Sequence, residues 1–235
     1  MLLSPGEWAI VALSLKVGAV AIVAALPVAF ALAWLLARGR FFGKALVDAL
    51  VHLPLVLPPV VTGWMLLIAF APHGVLGGPL REWLGISLLF RWTGAALAAG
   101  IMALPLMVRA IRLSLDAIDP RLEEAARVLG AGPIDRFVSI VLPLSRPGVL
   151  AALVLGFARS LGEFGATITF VSNIPGETET LPLAIYSALQ VPGSEGAVVR
   201  LAVIAIVLSL GALIVSERLL ARGRTDPKGR AHDGL

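Results

Sequence analysis

Residues 17–36, 53–72 and 92–108 contain no Asp, Glu, Lys or Arg. A helix of about 20 mostly apolar residues crosses a hydrocarbon layer roughly 30 Å thick. Inside that layer the backbone must satisfy its own hydrogen bonds, so only helices and closed barrels span it. Runs this long and this clean predict an all-α polytopic membrane protein. Two more runs fit the same template with few charges. Residues 148–174 hold Arg159 and Glu163, and residues 197–216 hold Arg200 near one end, where a long side chain reaches the interface. The apolar piece 181–191 is too short to cross and reads as a re-entrant or surface helix, which gives five spans, or six if it crossed. Composition agrees: 58% of the 235 residues are hydrophobic and 14% charged, against about 25% charged in a soluble domain.

The absence of cysteine excludes a disulfide scaffold, a thiolate metal site and an iron–sulfur centre. His52, His73 and His232 are scattered without ligand spacing, so no metal and no cofactor are expected. Nor is there a glycine-rich, Lys-Ser/Thr phosphate loop, so the chain is not expected to hydrolyse ATP. Lys and Arg set the orientation. With the polar segment 116–146 in the cytoplasm, fourteen of the nineteen basic residues fall inside, while Lys16, Arg81, Arg91 and Arg200 fall outside and Arg159 within a span. The amino terminus is then external and the carboxyl terminus cytoplasmic. The first span has no basic region before it and a basic cluster after it, Arg38 to Lys44, which reads as an uncleaved start-transfer helix. The basic flanks face anionic headgroups. They lack interleaved aromatics and sit at span boundaries, which argues against nucleic-acid binding. Residues 1–222 read as one transmembrane domain and 223–235 as a polar cytoplasmic tail.

The stretch "EEAARVLGAGPIDRFVSIVLP", Glu123 to Pro143, is a polar island between apolar runs. Asp119 and Pro120 make a good helix start, and Gly130, Gly132 and Pro133 a good stop. Between them Leu122, Ala125, Ala126 and Leu129 form one apolar stripe at i, i+3, i+4 and i+7, with two alanines that permit close approach. A helix this short is marginal alone and needs a packing partner. The pattern suits either a connector lying on the membrane or a docking helix.

The order Glu124-Ala125-Ala126, three residues, Gly130, nine residues, Ile140, one residue, Leu142-Pro143 resembles the cytoplasmic signature of membrane subunits of binding-protein-dependent ABC importers. The resemblance covers nearly the whole chain. "HLPLVLPPVVTGW", "LPLMVRAIR" and "ARSLGEFGATITFVSNIPGETETLPLAIY" are similar to the molybdate permease branch, with the sulfate permeases as the neighbouring alternative. The likeness implies a type I importer permease fold and a homodimer with one translocation path. It also implies two ATP-binding cassette subunits on the cytoplasmic side, docked on the coupling helix, and an external molybdate-binding protein. Glu124, Ala125, Ala126, Gly130, Ile140, Leu142 and Pro143 are then the coupling residues.

Arg159 and Glu163 are spaced to face one another on a helix, and each charge placed at a helix centre costs about 2.5–3.5 kcal/mol on insertion scales. One reading puts them, with Gly162 and Ala166 beside them, along the anion path. The other makes them an ion pair that locks helices together. Thr167, Thr169, Ser172 and Asn173 suit hydrogen bonds to a passing oxyanion or bonds back to their own helix. Pro54, Pro58, Pro59 and Pro105 predict kinks, as hinges or as fixed bends. A secondary transporter would show repeated halves, an intramembrane enzyme an acid–base or nucleophile constellation, and a channel no docking helix. None of these patterns fits.

Overall fold

The computed structural model describes residues 3–223, among which there is no strand. Helix α1 (Pro5–Arg38) opens with a capping box. Glu7 N–H donates to Ser4 Oγ (3.2 Å), and Ser4 N–H donates to Glu7 Oε2 (2.7 Å). At 34 residues α1 is about 51 Å long, well over the thickness of a bilayer. The helix starts twelve residues before the apolar run from which it was predicted.

The second apolar run does not form one helix. Helix α2 (Lys44–Val56) and helix α3 (Pro59–Phe70) are bent by 113° about Leu57 and Pro58. Proline restricts the residue before it to extended backbone and has no N–H, so two consecutive prolines convert an expected kink into a break. By contrast α1 continues through Pro27 and α5 (Trp92–Asp116) through Pro105. A short helix, α4 (Gly77–Leu84), lies between α3 and α5.

Helix α5 is the most enclosed element. Ala95, Ala96, Ala98, Ala99, Gly100 and Ala103 give it a slender profile against which α1 and later helices pack. Next come α6 (Pro120–Val128) and α7 (Pro133–Arg136), a π-helical turn at Phe137–Val141, and α8 (Leu142–Leu161). Pro133, expected to end the island's helix, begins the next one. The π turn is the local answer to Pro143, which cannot donate to the ladder. Leu142 N–H reaches back to Phe137 O, and α8 restarts in a new register.

The predicted fourth span, 148–174, is corrected in the same way. Helix α8 stops at Leu161, and α9 (Gly165–Val171) begins after Gly162, Glu163 and Phe164. Helix α10 (Leu181–Leu189) has nine residues and is the short piece expected there. Helix α11 (Glu195–Gly223) ends the described chain, so the tail predicted over 223–235 lies outside the described residues except Gly223. Among the described residues four helical runs are long and apolar enough to cross a membrane, α1, α5, the run from α7 through α8, and α11, and the α2–α3 pair makes a fifth if counted as one.

Three clusters hold the bundle. Leu36, Ile111, Leu115 and Val141 close one end. Ala95, Ala99, Ala166 and Phe170 join α5 to α9. Val11, Leu181, Ala184 and Leu201 join α1, α10 and α11 at the other end.

Candidate functional site: the polar island and the broken spans

Asp119 caps α6 by accepting from Arg121 N–H (2.9 Å), with Pro120 in the first turn. The helix ends where Gly130 takes φ +88°, a conformation that side chains disfavour, and Ala131 N–H closes back to Ala126 O (2.9 Å). No residue of α6 is buried. Leu122 is 47% exposed and Leu129 87%, so most of the predicted apolar stripe is bare. The bare surface is wider than the stripe: Val128 and Ile134 are 84% and 80% exposed. Helical periodicity missed both, because Val128 falls off the i, i+3, i+4 pattern and Ile134 lies beyond the glycine stop.

The two glutamates diverge. Glu124 is exposed, whereas Glu123 lies 2.8 Å from the Arg38 guanidinium at the end of α1. The second half of the motif is an anchor. Phe137 packs edge-on against Phe30 (5.9 Å) and Trp34 (5.2 Å) of α1, and Val141 is fully buried. Ile140 lies in the π turn, and Leu142 and Pro143 open α8. The motif therefore divides into a mostly exposed face around Glu124, Ala125, Ala126 and Gly130 and a second half, Ile140, Leu142 and Pro143, that flanks the buried Val141.

The second cluster surrounds the break between α8 and α9. Arg159 Nη1 lies 2.8 Å from Glu163 Oε2, and Glu163 Oε1 accepts from Ala166 N–H at 2.8 Å. Both carboxylate oxygens are thus engaged, one by a charge and one by the first turn of α9. The Glu163 side chain is 2% exposed and that of Arg159 26%. The spacing of four survives although the helix does not. The predicted strip of Gly162 and Ala166 on one continuous face does not form, because Gly162 sits in the break and is exposed while Ala166 is buried. Thr169 Oγ1 donates to Gly165 O (2.9 Å), and Thr167 is buried. Asn173 Nδ2 donates to Ser187 Oγ.

The two breaks meet. A Cβ placed on Gly165 would come 2.7 Å from Pro59 Cβ, and one on Gly63 would come 2.5 Å from Ala166 O. Helices α3 and α9 therefore start side by side at backbone contact distance, and Phe70 and Phe170 stack at their far ends (5.9 Å). Beyond α9, Ser172 takes φ +63°. The buried Thr178 hydroxyl donates to Ser172 O (3.0 Å) and accepts from Ile174 N–H (2.8 Å). Glu177 Oε1 reaches Trp92 N–H at the start of α5 (3.4 Å). Arg200, near the start of α11, meets Glu7 of α1 at 2.8 Å. The partners of Arg38 and Arg200 lie 85 and 193 residues away in the chain, and no local pattern announces them.

Comparison with known proteins gives concordant results. The molybdenum transport system permease protein ModB of Escherichia coli (strain K12) is 54% identical over 98% of this chain and 100% of its own. ModB of Haemophilus influenzae is 57% identical over 89% of this chain and 92% of its own. A sulfate transport system permease protein, CysT of Salmonella typhimurium, is 40% identical over 68% of this chain and 57% of its own. Among solved structures, a bacterial alginate ABC transporter in complex with alginate pentasaccharide-bound periplasmic protein superposes with a TM-score of 0.69 at 22% identity, covering 92% of this chain and 80% of that one. Residues 19–224 match the family described as binding-protein-dependent transport system inner membrane component, and the chain belongs to that family.

Proposed function

We propose that the chain is the permease subunit of an ATP-driven importer that carries molybdate, and tungstate as an anion of the same shape and charge, into the cytoplasm. The observation that carries this reading is near-full-length identity above one half with molybdenum permeases, against a shorter and weaker likeness to a sulfate permease. The α6 surface supports the coupling role: Glu124, Ala125, Ala126 and Gly130 present a face that the described residues leave largely uncovered. Two ATP-binding cassette subunits dock there, one on each copy of a homodimer, and an external molybdate-binding protein delivers the anion. The amino terminus is outside and the carboxyl terminus in the cytoplasm. Residues 1–222 act as one transmembrane domain, and ATP hydrolysis belongs to the partner.

In this scheme closure of the ATPase pair on ATP moves the two α6 helices together, and the π turn at Ile140, Leu142 and Pro143 passes that motion into α8. Rigid-body rotation about such points is an established route for switching access. The break between α8 and α9 borders the path. Arg159 supplies positive potential from its exposed quarter, and Glu163 offsets it so that the anion is held weakly enough to leave. The Thr169 hydroxyl is spent on Gly165 O within α9 and the Thr167 side chain is buried, so their contribution is to hold that helix.

The test is uptake of labelled molybdate in cells lacking their own system, with the permease, its ATPase and its binding protein supplied together. Uptake that requires all three supports the reading. Sulfate uptake without molybdate uptake overturns it in favour of the sulfate branch.

A further inference from the structure

We propose that the Arg38–Glu123 ion pair is the strut through which displacement of α6 reaches α1, so that these two residues position the coupling helix for transport. The proposal rests on the docking role given to α6 above.

Helix α6 buries no residue of its own, and the charged contact of 2.8 Å between Glu123 and Arg38 holds its first turn to the bundle. The pair stands where two helix dipoles reinforce it. Arg38 occupies the last turn of α1 and Glu123 the first turn of α6, the ends at which a cation and an anion respectively are favoured. Arg38 Nε and Nη2 and Glu123 Oε1 are withdrawn from solvent and form no aligned hydrogen bond. The attraction is therefore charge against charge at short range, little screened by water or salt. Loss of either charge leaves the other one desolvated and without its counter-ion.

At its other end α1 is fixed just as firmly. Glu7 holds Arg200 of α11 at 2.8 Å, and Ser14 Oγ accepts from Leu181 N–H of α10 at 2.7 Å. A single unbroken helix thus connects α6 at one end of the molecule with α10 and α11 at the other. A second tie of the island to α1 is Phe137 against Phe30 and Trp34, while Val141 is buried with Ile111 and Leu115 of α5. Glu123, and not the neighbouring Glu124 of the recognised signature, is the acid that faces inward.

The experiment uses the full importer in liposomes with its ATPase and binding protein. It compares wild type, Arg38→Gln, Glu123→Gln and the exchanged pair Arg38→Glu with Glu123→Arg. Three quantities are read: ATPase co-purification, ATP hydrolysis, and molybdate taken up per ATP. The single variants are expected to retain the ATPase and its hydrolysis while uptake per ATP falls tenfold or more, and the exchanged pair to recover at least half of the loss. Unchanged uptake per ATP in both single variants overturns the strut. So does an exchanged pair no better than the singles, including the case in which the singles fail to assemble. If wild-type permease itself does not retain the ATPase, the docking role of α6 fails instead.

Discussion

Glu163 carries two duties that are usually given to separate residues: it neutralises Arg159 and it holds the first turn of α9. Removing a partner from a buried pair strands the other charge, at a cost of about 3–5 kcal/mol. Glu163→Ala should therefore lower the detergent melting temperature sharply, whereas Glu163→Gln keeps an acceptor for Ala166 N–H and should lower it less. If the pair is chiefly a lock, Arg159→Gln combined with Glu163→Gln recovers assembly lost in either single variant. If Arg159 serves the path, Arg159→Gln slows uptake while assembly and basal ATPase activity persist. Gly63 offers a cleaner packing test. A methyl group there would press on the Ala166 backbone, and overpacking of this kind costs about 1–3 kcal/mol. Gly63→Ala should lower the melting temperature, and Gly211→Ala, which meets open space inside a helix, should not lower it.

At the scale of the element, α6 was legible in the sequence and the breaks were not. Asp119, Pro120, Gly130 and the spacing of Leu122 to Leu129 are local signals: the first three became the cap and the stop that they predicted, and the stripe formed with its leucines exposed. Two prolines at 58 and 59 signalled distortion without its size, because the angle depends on what the freed backbone packs against. The end of α8 at Leu161 had no local marker beyond Gly162. Within the break the Glu163 carboxylate accepts from the Ala166 amide three residues on, a local cap on the next helix that the i, i+4 reading with Arg159 did not bring out. The exposed apolar area of α6 and α7 makes a separate prediction. Ala126→Trp wedges the face outward, and Gly130→Asp puts a charged side chain on the left-handed turn that ends the helix. Both variants should insert into membranes yet lose ATPase co-purification. Retained co-purification together with full uptake would make α6 a connector only.

On the scale of the whole molecule, the charged contacts sort by end. Arg38, Asp48, Arg112, Asp116 and Glu123 gather at one pole, and Glu7 and Arg200 pair near the other. In a chain without cysteine, single thiols placed at Gly132 and Glu177 report topology directly, and they should react with an impermeant reagent from opposite sides of the membrane. Labelling of both from outside would overturn the proposed topology. The side-by-side start of α3 and α9 also bears on how the protein is made. Neither half-helix is long enough to cross a bilayer, and each finds at the other the backbone contact that lipid cannot supply. Their sequence positions are about 100 residues apart. At a synthesis rate of about 5–20 residues per second, α3 waits on the order of 5–20 s for its partner to leave the ribosome. During that interval α3 lacks the backbone contact it later makes with α9. Chains truncated before Gly162 should therefore be cleared by membrane proteases far faster than chains truncated after Val171, which makes the meeting of the two half-helices a checkpoint in biogenesis.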